Sequence, residues 1–434
     1  MKKFISSAFK IVLLASLLSL PIFAQAVKRT PFDVTNYLMD VTLVPTERKL
    51  NATVDVSFTP LEDTRSVSFE LNGSLKIDTV TRLDKAPPPT PAATPAPKTP
   101  VKTVPPKAAP QNPVTFVQDQ TGVSDLGPSV RIDLGDTVAK GTLVVLRFKY
   151  SGVLDTASGG PLLSKRLAYI GDSQGYLMYA ARWFPFHDYA ADPATSDVSI
   201  TLPAGLQLVG FSDAPISNAG GKSRFVQSTP ALLGNFAYGK YVAKTLRFGG
   251  YELQFYTRAG NDALVASYGE TLGHALDSYS KRFGQAANGN RLIVAQIDDE
   301  SLDFYSSKGM LFIANRQFEQ PRDNTKDRLQ REAAFQWWGL TVGLKSFDDA
   351  WLSQGLAEYS AFSLRESEMD DAKLDSLRRE LLEKSLTFEQ TASLLHSIPS
   401  FCLSHFLWVC QARSALRIPV HAISGSSRAT TTIQ

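Results

Sequence analysis

The feature that most constrains this chain is a change of hydrophobic period near Asn261. Between Thr30 and about Arg258, apolar and polar residues alternate in short runs: Val41-Thr42-Leu43-Val44, Thr53-Val54-Asp55-Val56-Ser57-Phe58, Leu143-Val144-Val145-Leu146-Arg147-Phe148. Successive side chains of a strand face opposite sides of its sheet. Such runs, punctuated by Asn72-Gly73 and Gly159-Gly160, therefore predict antiparallel sheet. After Asn261 the apolar residues return at helical spacing, which predicts helices over 263–283, 327–340, 348–366 (Asp348 as cap) and 370–385. Strands are predicted over 291–297 and 311–314. The division that follows is an N-terminal β domain at 27–258, of sandwich or saddle form, and a second α/β, mostly helical domain at 259–390.

Three segments stand apart. Lys2, Lys3 and Lys10 flank an apolar run from Ile11 to Phe23 that ends in Ala24-Gln25-Ala26, the layout of a secretory signal peptide at 1–26. An uncleaved anchor is the competing reading, but Pro21 and the small-x-small site favour cleavage, so the expected location is periplasmic or extracellular. No later segment reaches the roughly 18 apolar residues of a membrane span. The segment 86–113 holds 11 of the 25 prolines and cannot pack a core; strand-like residues on both sides make it an insertion in one β domain, a passive spacer or a Pro-rich ligand. The tail 391–434 contains both cysteines, Cys402 and Cys410, and no Asp or Glu, a composition rare in globular segments. A shifted reading frame, a truncation or a short domain of its own would each account for it. The net charge of +3 falls to zero when the three leader lysines are removed, which leaves no electrostatic attraction for nucleic acid.

Chemistry-bearing residues concentrate in Arg331-Glu332-Ala333-Ala334-Phe335-Gln336-Trp337-Trp338-Gly339 and in Asp348-Asp349-Ala350-Trp351-Leu352-Ser353-Gln354-Gly355-Leu356-Ala357-Glu358-Tyr359. In an H-E-x-x-H helix two histidines one turn apart bind one metal and the Glu between them polarises water. The two segments resemble the M1 family of aminopeptidases, which reads H-E-x-x-H-x-W-x-G and then W-L-N-E-G-F-A-x-Y. Trp183-Phe184-Pro185-Phe186-His187-Asp188 is similar to the family's W-F-P-C-F-D-E-P stretch, and the resemblance runs over about residues 31 to 390. It implies a thermolysin-like second domain, zinc, and peptide substrates in a cleft.

Residue by residue, the resemblance places the metal ligands at Arg331, Phe335 and Gln354, and keeps the general base as Glu332. None of the three replacements is a zinc ligand type. Register with Lys308-Gly309-Met310-Leu311-Phe312 puts Ser306 where the family has its amine-binding Glu, and no Tyr follows Tyr359 to serve the oxyanion. Ser306, Glu358 and Tyr359 are candidate cleft-lining residues. Two readings of Arg331 and Glu332 stand open: ordinary polar residues on a partly exposed helix face, or an Arg331 guanidinium near the metal position that offsets Glu332 or Glu358, with Phe335 filling the remaining volume. Trp337 is expected in the core and Trp338 beneath the sheet. The expected function is an exported pseudopeptidase with no cofactor, at most a peptide- or protein-binding scaffold of undetermined oligomeric state. The alternatives are an active metallopeptidase with other ligands and a truncated, non-functional product.

Overall fold

The computed structural model describes residues 31–84, 112–119, 129–154, 165–188, 192–299, 301–346 and 349–391. The leader, the Pro-rich segment up to residue 111, Asp348 and the tail beyond Thr391 lie outside the described residues.

The β part is built on an eight-stranded sheet in which Phe32–Val44 and Lys49–Pro60 form the central hairpin. In Lys49–Pro60 the alternation seen in the sequence becomes burial: Leu50, Ala52, Val54, Val56 and Phe58 all point inward. Its partner carries a bulge between Val34 and Asn36, so the inward set moves from Phe32 and Val34 to Tyr37, Met39, Val41 and Leu43. Phe32–Val44 also pairs in parallel with Ala194–Thr201, so the expected purely antiparallel sheet is in fact mixed. Lys76–Arg82 pairs with Asn112–Pro113, which puts the strand before the Pro-rich segment and that segment's last two residues in one sheet. A three-stranded and a four-stranded sheet complete this part.

The segment Trp183-Phe184-Pro185-Phe186 is buried at the heart of this part. Tyr150 and Tyr37 donate their hydroxyls to the carbonyls of Trp183 and Pro185, each at 2.9 Å, and Phe186 exchanges backbone hydrogen bonds with Glu70. Arg182 Nε meets the Glu70 carboxylate at 2.6 Å with both side chains buried. His187 stacks on Phe32 with ring centroids 3.7 Å apart and holds Asp192 through Nδ1, which makes it a packing residue.

A five-stranded sheet follows, in the order Val242–Phe248, Tyr251–Thr257, Arg291–Ile297, Met310–Ala314, Phe304–Ser307. Its first two strands precede residue 259, so this sheet draws on both sides of the boundary expected there; a strand hairpin at the end of a β-rich stretch carries no sequence mark of the sheet it joins. Among the described residues this part holds five helices: α1 (Asp262–Phe283), α2 (Arg316–Glu319), α3 (Thr325–Ala334), α4 (Ala350–Glu368) and α5 (Asp371–Thr391). With five strands among them, "mostly helical" describes the region only in part.

The central strands of this sheet are buried on both faces. Ile293, Ala295, Ile297, Met310 and Phe312 join the core of the β part, while Leu292, Val294, Leu311 and Ile313 join a second core with α1 and α3. The helix expected to reach residue 340 stops at Ala334. Gly339 at φ +134° and a bridge between Trp338 and Val342 turn the chain back.

Candidate active-site position

α3 lies between α1 and α4, burying Leu329, Ala333 and Ala334 against the second core. Arg331 and Glu332 consequently face α4 and the edge strand Phe304–Ser307. α4 approaches closely because its inner face carries small residues, Ser353, Ala357, Ser360 and Ala361. Gln336, just past α3, fixes the edge strand to the helix: its side chain accepts from Gly309 N at 2.9 Å and donates to the Ser307 carbonyl at 3.1 Å.

These constraints bring the candidate residues together. Arg331 Nη1 donates to Glu332 Oε1 at 2.8 Å and Nη2 donates to Gln354 Oε1, while Nε forms an ion-pair contact with Glu358 Oε2 at 2.8 Å. The Arg331 guanidinium lies 5.0 Å from the centroid of the Phe335 ring. Ser306 Oγ donates to the second Glu332 oxygen at 2.7 Å, and Arg328 stands 3.8 Å from the first. Glu332 is only 5 % exposed, so its charge needs these partners. Arg331 is thus paired with both Glu332 and Glu358, the two carboxylates it was expected to offset. Tyr359 lies next along α4 from Glu358, partly exposed.

Several side chains near the cluster were not legible beforehand. Arg328 could have been found from its i,i+4 spacing to Glu332. Gln336 could not, because its role depends on a turn distant in sequence. At the head of the edge strand, burial works against the charge of Asp303, but Arg316, Gln317 and Arg322 outweigh it and hold the carboxyl below its ordinary range. Trp337 is buried as expected and donates to the Gly284 carbonyl at 2.8 Å. Trp338 does not lie beneath the sheet; it sits between helices, donating to Ser360 Oγ at 2.9 Å with its ring 5.1 Å from that of Phe283.

The side chains at 331, 335 and 354 do not fit zinc. A guanidinium stays charged and offers no lone pair, a phenyl ring has no donor atom, and a carboxamide is outside the usual zinc set. Among the described residues no group of three His, Cys, Asp or Glu side chains could hold a metal ion. His274 faces Glu368 at 3.1 Å and His187 is held in the β part.

A two-domain M1 zinc metallopeptidase bound to L-arginine matches this structure with a TM-score of 0.61 at 20 % identity, over 82 % of this chain and 76 % of that one. The fold is that of the M1 zinc peptidases. The M1 zinc metallopeptidase of Deinococcus radiodurans matches with a TM-score of 0.59 at 18 % identity, over 82 % of this chain and 76 % of its own. A mutant of the same protein bound to a Tyr-Ser-Ala substrate matches with a TM-score of 0.59 at 18 % identity, over 82 % and 75 %. Among curated proteins, Aminopeptidase 2 of Candida albicans is 22 % identical over 284 residues, 60 % of this chain. The chain spans 30 % of that relative's length. No protein-family model matches the chain. Within the M1 fold described here, no helix among the described residues is long and apolar enough to cross a membrane.

Proposed function

We propose that this chain is an exported protein of the M1 peptidase fold that does not hydrolyse peptides and binds, at most, a peptide or protein segment. One observation carries the reading: both oxygens of Glu332 are engaged, by Arg331 and by Ser306, and the three positions that the resemblance assigns to zinc hold Arg331, Phe335 and Gln354. Both carboxylate oxygens are thereby tied to neighbouring side chains of the chain itself, in place of a metal-bound water. The leader at 1–26 supports export. The scaffold role rests on the fold, since a Tyr-Ser-Ala substrate is held by a structural neighbour.

The test is elemental analysis of the purified mature protein together with hydrolysis of aminoacyl-anilide substrates. The expected result is sub-stoichiometric zinc and no turnover. Stoichiometric zinc with chelator-sensitive turnover would establish an active metallopeptidase in its place.

A further inference from the structure

We infer that Arg331 is a built-in cation: its guanidinium takes over the charge and cross-linking role of a divalent metal ion, at a point where the side chains of positions 331, 335 and 354 meet. This rests on the non-hydrolytic reading above and says what has replaced the metal.

The first support is the partner set. The three guanidinium nitrogens go to three different side chains: Nη1 to Glu332 and Nε to Glu358, each at 2.8 Å, and Nη2 to Gln354. Two of these lie on α4, so the group ties α3 to α4 as a shared ion would. Phe335 covers one face of it at 5.0 Å. A planar fork donates to Glu332 and Gln354 at once and keeps its charge beside Glu358; an ammonium on a flexible stem is a single point charge. The second support is convergence. Positions 331 and 335 are one helical turn apart, with Phe335 N still bonded to the Arg331 carbonyl at 3.1 Å, and Arg331 touches position 354 across the helix pair. Two imidazoles at that spacing with a carboxylate opposite constitute a zinc donor set. The guanidinium and a metal ion are therefore alternatives at one place: each supplies the positive charge that Glu332, only 5 % exposed, and Glu358 require.

Two variants test this: Arg331→Met, and the triple variant Arg331→His, Phe335→His, Gln354→Glu. Each is compared with the parent protein by thermal midpoint, with and without zinc and chelator, and by bound zinc after dialysis. The parent midpoint should respond to neither zinc nor chelator. Arg331→Met should lower the midpoint by roughly 5–10 °C, because Glu358 loses its ion-pair partner and the buried Glu332 keeps only the charge of Arg328 at 3.8 Å. The triple variant should retain one zinc per chain, with a midpoint that zinc raises and chelator lowers, a response that ordinary packing cannot produce. An unchanged midpoint in Arg331→Met overturns the inference. So does a folded triple variant that takes up no zinc, and so does one that stays unfolded in its presence. Those failures leave the non-hydrolytic reading standing, whereas zinc-dependent turnover by the parent protein removes both.

Discussion

Lys308 is 3 % exposed, and its ammonium reaches both Asp213 oxygens at 3.1 and 3.2 Å and Thr229 Oγ1 at 2.6 Å. This ion pair joins the β part to the turn that carries the edge strand, beside the Phe211 ring. Replacing Lys308 by Met leaves Asp213 without its cation, and urea unfolding should show a loss of about 3–5 kcal/mol. Asp213 also gives a pH prediction. Burial opposes its charge, but Lys308 and the amides of Ser228 and Thr229 outweigh burial and hold its carboxyl below the usual range. A depressed folded-state pKa contributes stability above the unfolded value of about 3.9, and that contribution is lost as pH falls through the folded value. The thermal midpoint should therefore drop on acidification below about pH 4, and Asp213→Asn should show a shallower drop in the same titration. Neither residue stood out in the sequence, because 95 positions separate them. Arg331 did stand out, since a charged residue in a motif position demands an explanation. Glu332 and Glu358 were among its expected partners; Gln354 as the third needed coordinates.

At the level of elements, two glycines in helices behave in opposite ways. Gly273 in α1 lies so close to the sheet that an added Cβ would sit 2.3 Å from Phe248 Cβ. A gain of about 1 kcal/mol in helix propensity for Gly273→Ala cannot offset that clash, so a net loss of about 1–3 kcal/mol is expected in denaturant unfolding. Gly355 in α4 has nothing within 4 Å of an added Cβ, so Gly355→Ala should raise stability by about 0.5–1 kcal/mol in the same assay. The two positions look alike in the sequence, because propensity is local while the distance to a neighbouring strand is not. Helix identity was legible from period: the stretch predicted at 263–283 is α1 almost to the residue, and 291–297 is a strand as read. The end of α3 was misjudged because its apolar pattern continues through Trp337 and Trp338. Those side chains are buried in a turn instead of a helix, and Gly339 at φ +134° makes that turn.

For the whole molecule, the decisive feature is the five-stranded sheet shared by two cores. Ile293, Ala295 and Ile297 face the β part while Leu292 and Val294 face the helices, so neither part can unfold without exposing one face of the same strands. Calorimetry should therefore record a single cooperative transition whose enthalpy matches the van't Hoff value; two resolved transitions would contradict the shared sheet. Phe312→Ala, at the β-part face of a central strand, should lower that midpoint through a loss of about 3–5 kcal/mol.

What the sequence determined on its own is what depends on short-range pattern. Alternation and helical period are set by the geometry of one element, so the β-rich first part, the later helices and the motif positions at 331, 332, 335 and 354 could be read directly. The chemical unfitness of Arg331, Phe335 and Gln354 for zinc was equally plain, since donor atoms belong to residue types. Only the tertiary structure decided which strands share a sheet, that the hairpin from Val242 to Thr257 serves the second core, and that Ser306 and Arg331 hold Glu332 while Gln354 and Glu358 hold Arg331. Those relations are distances between residues far apart in the chain. They come from how small side chains on α4 and the Gln336 clamp on the edge strand let the elements approach.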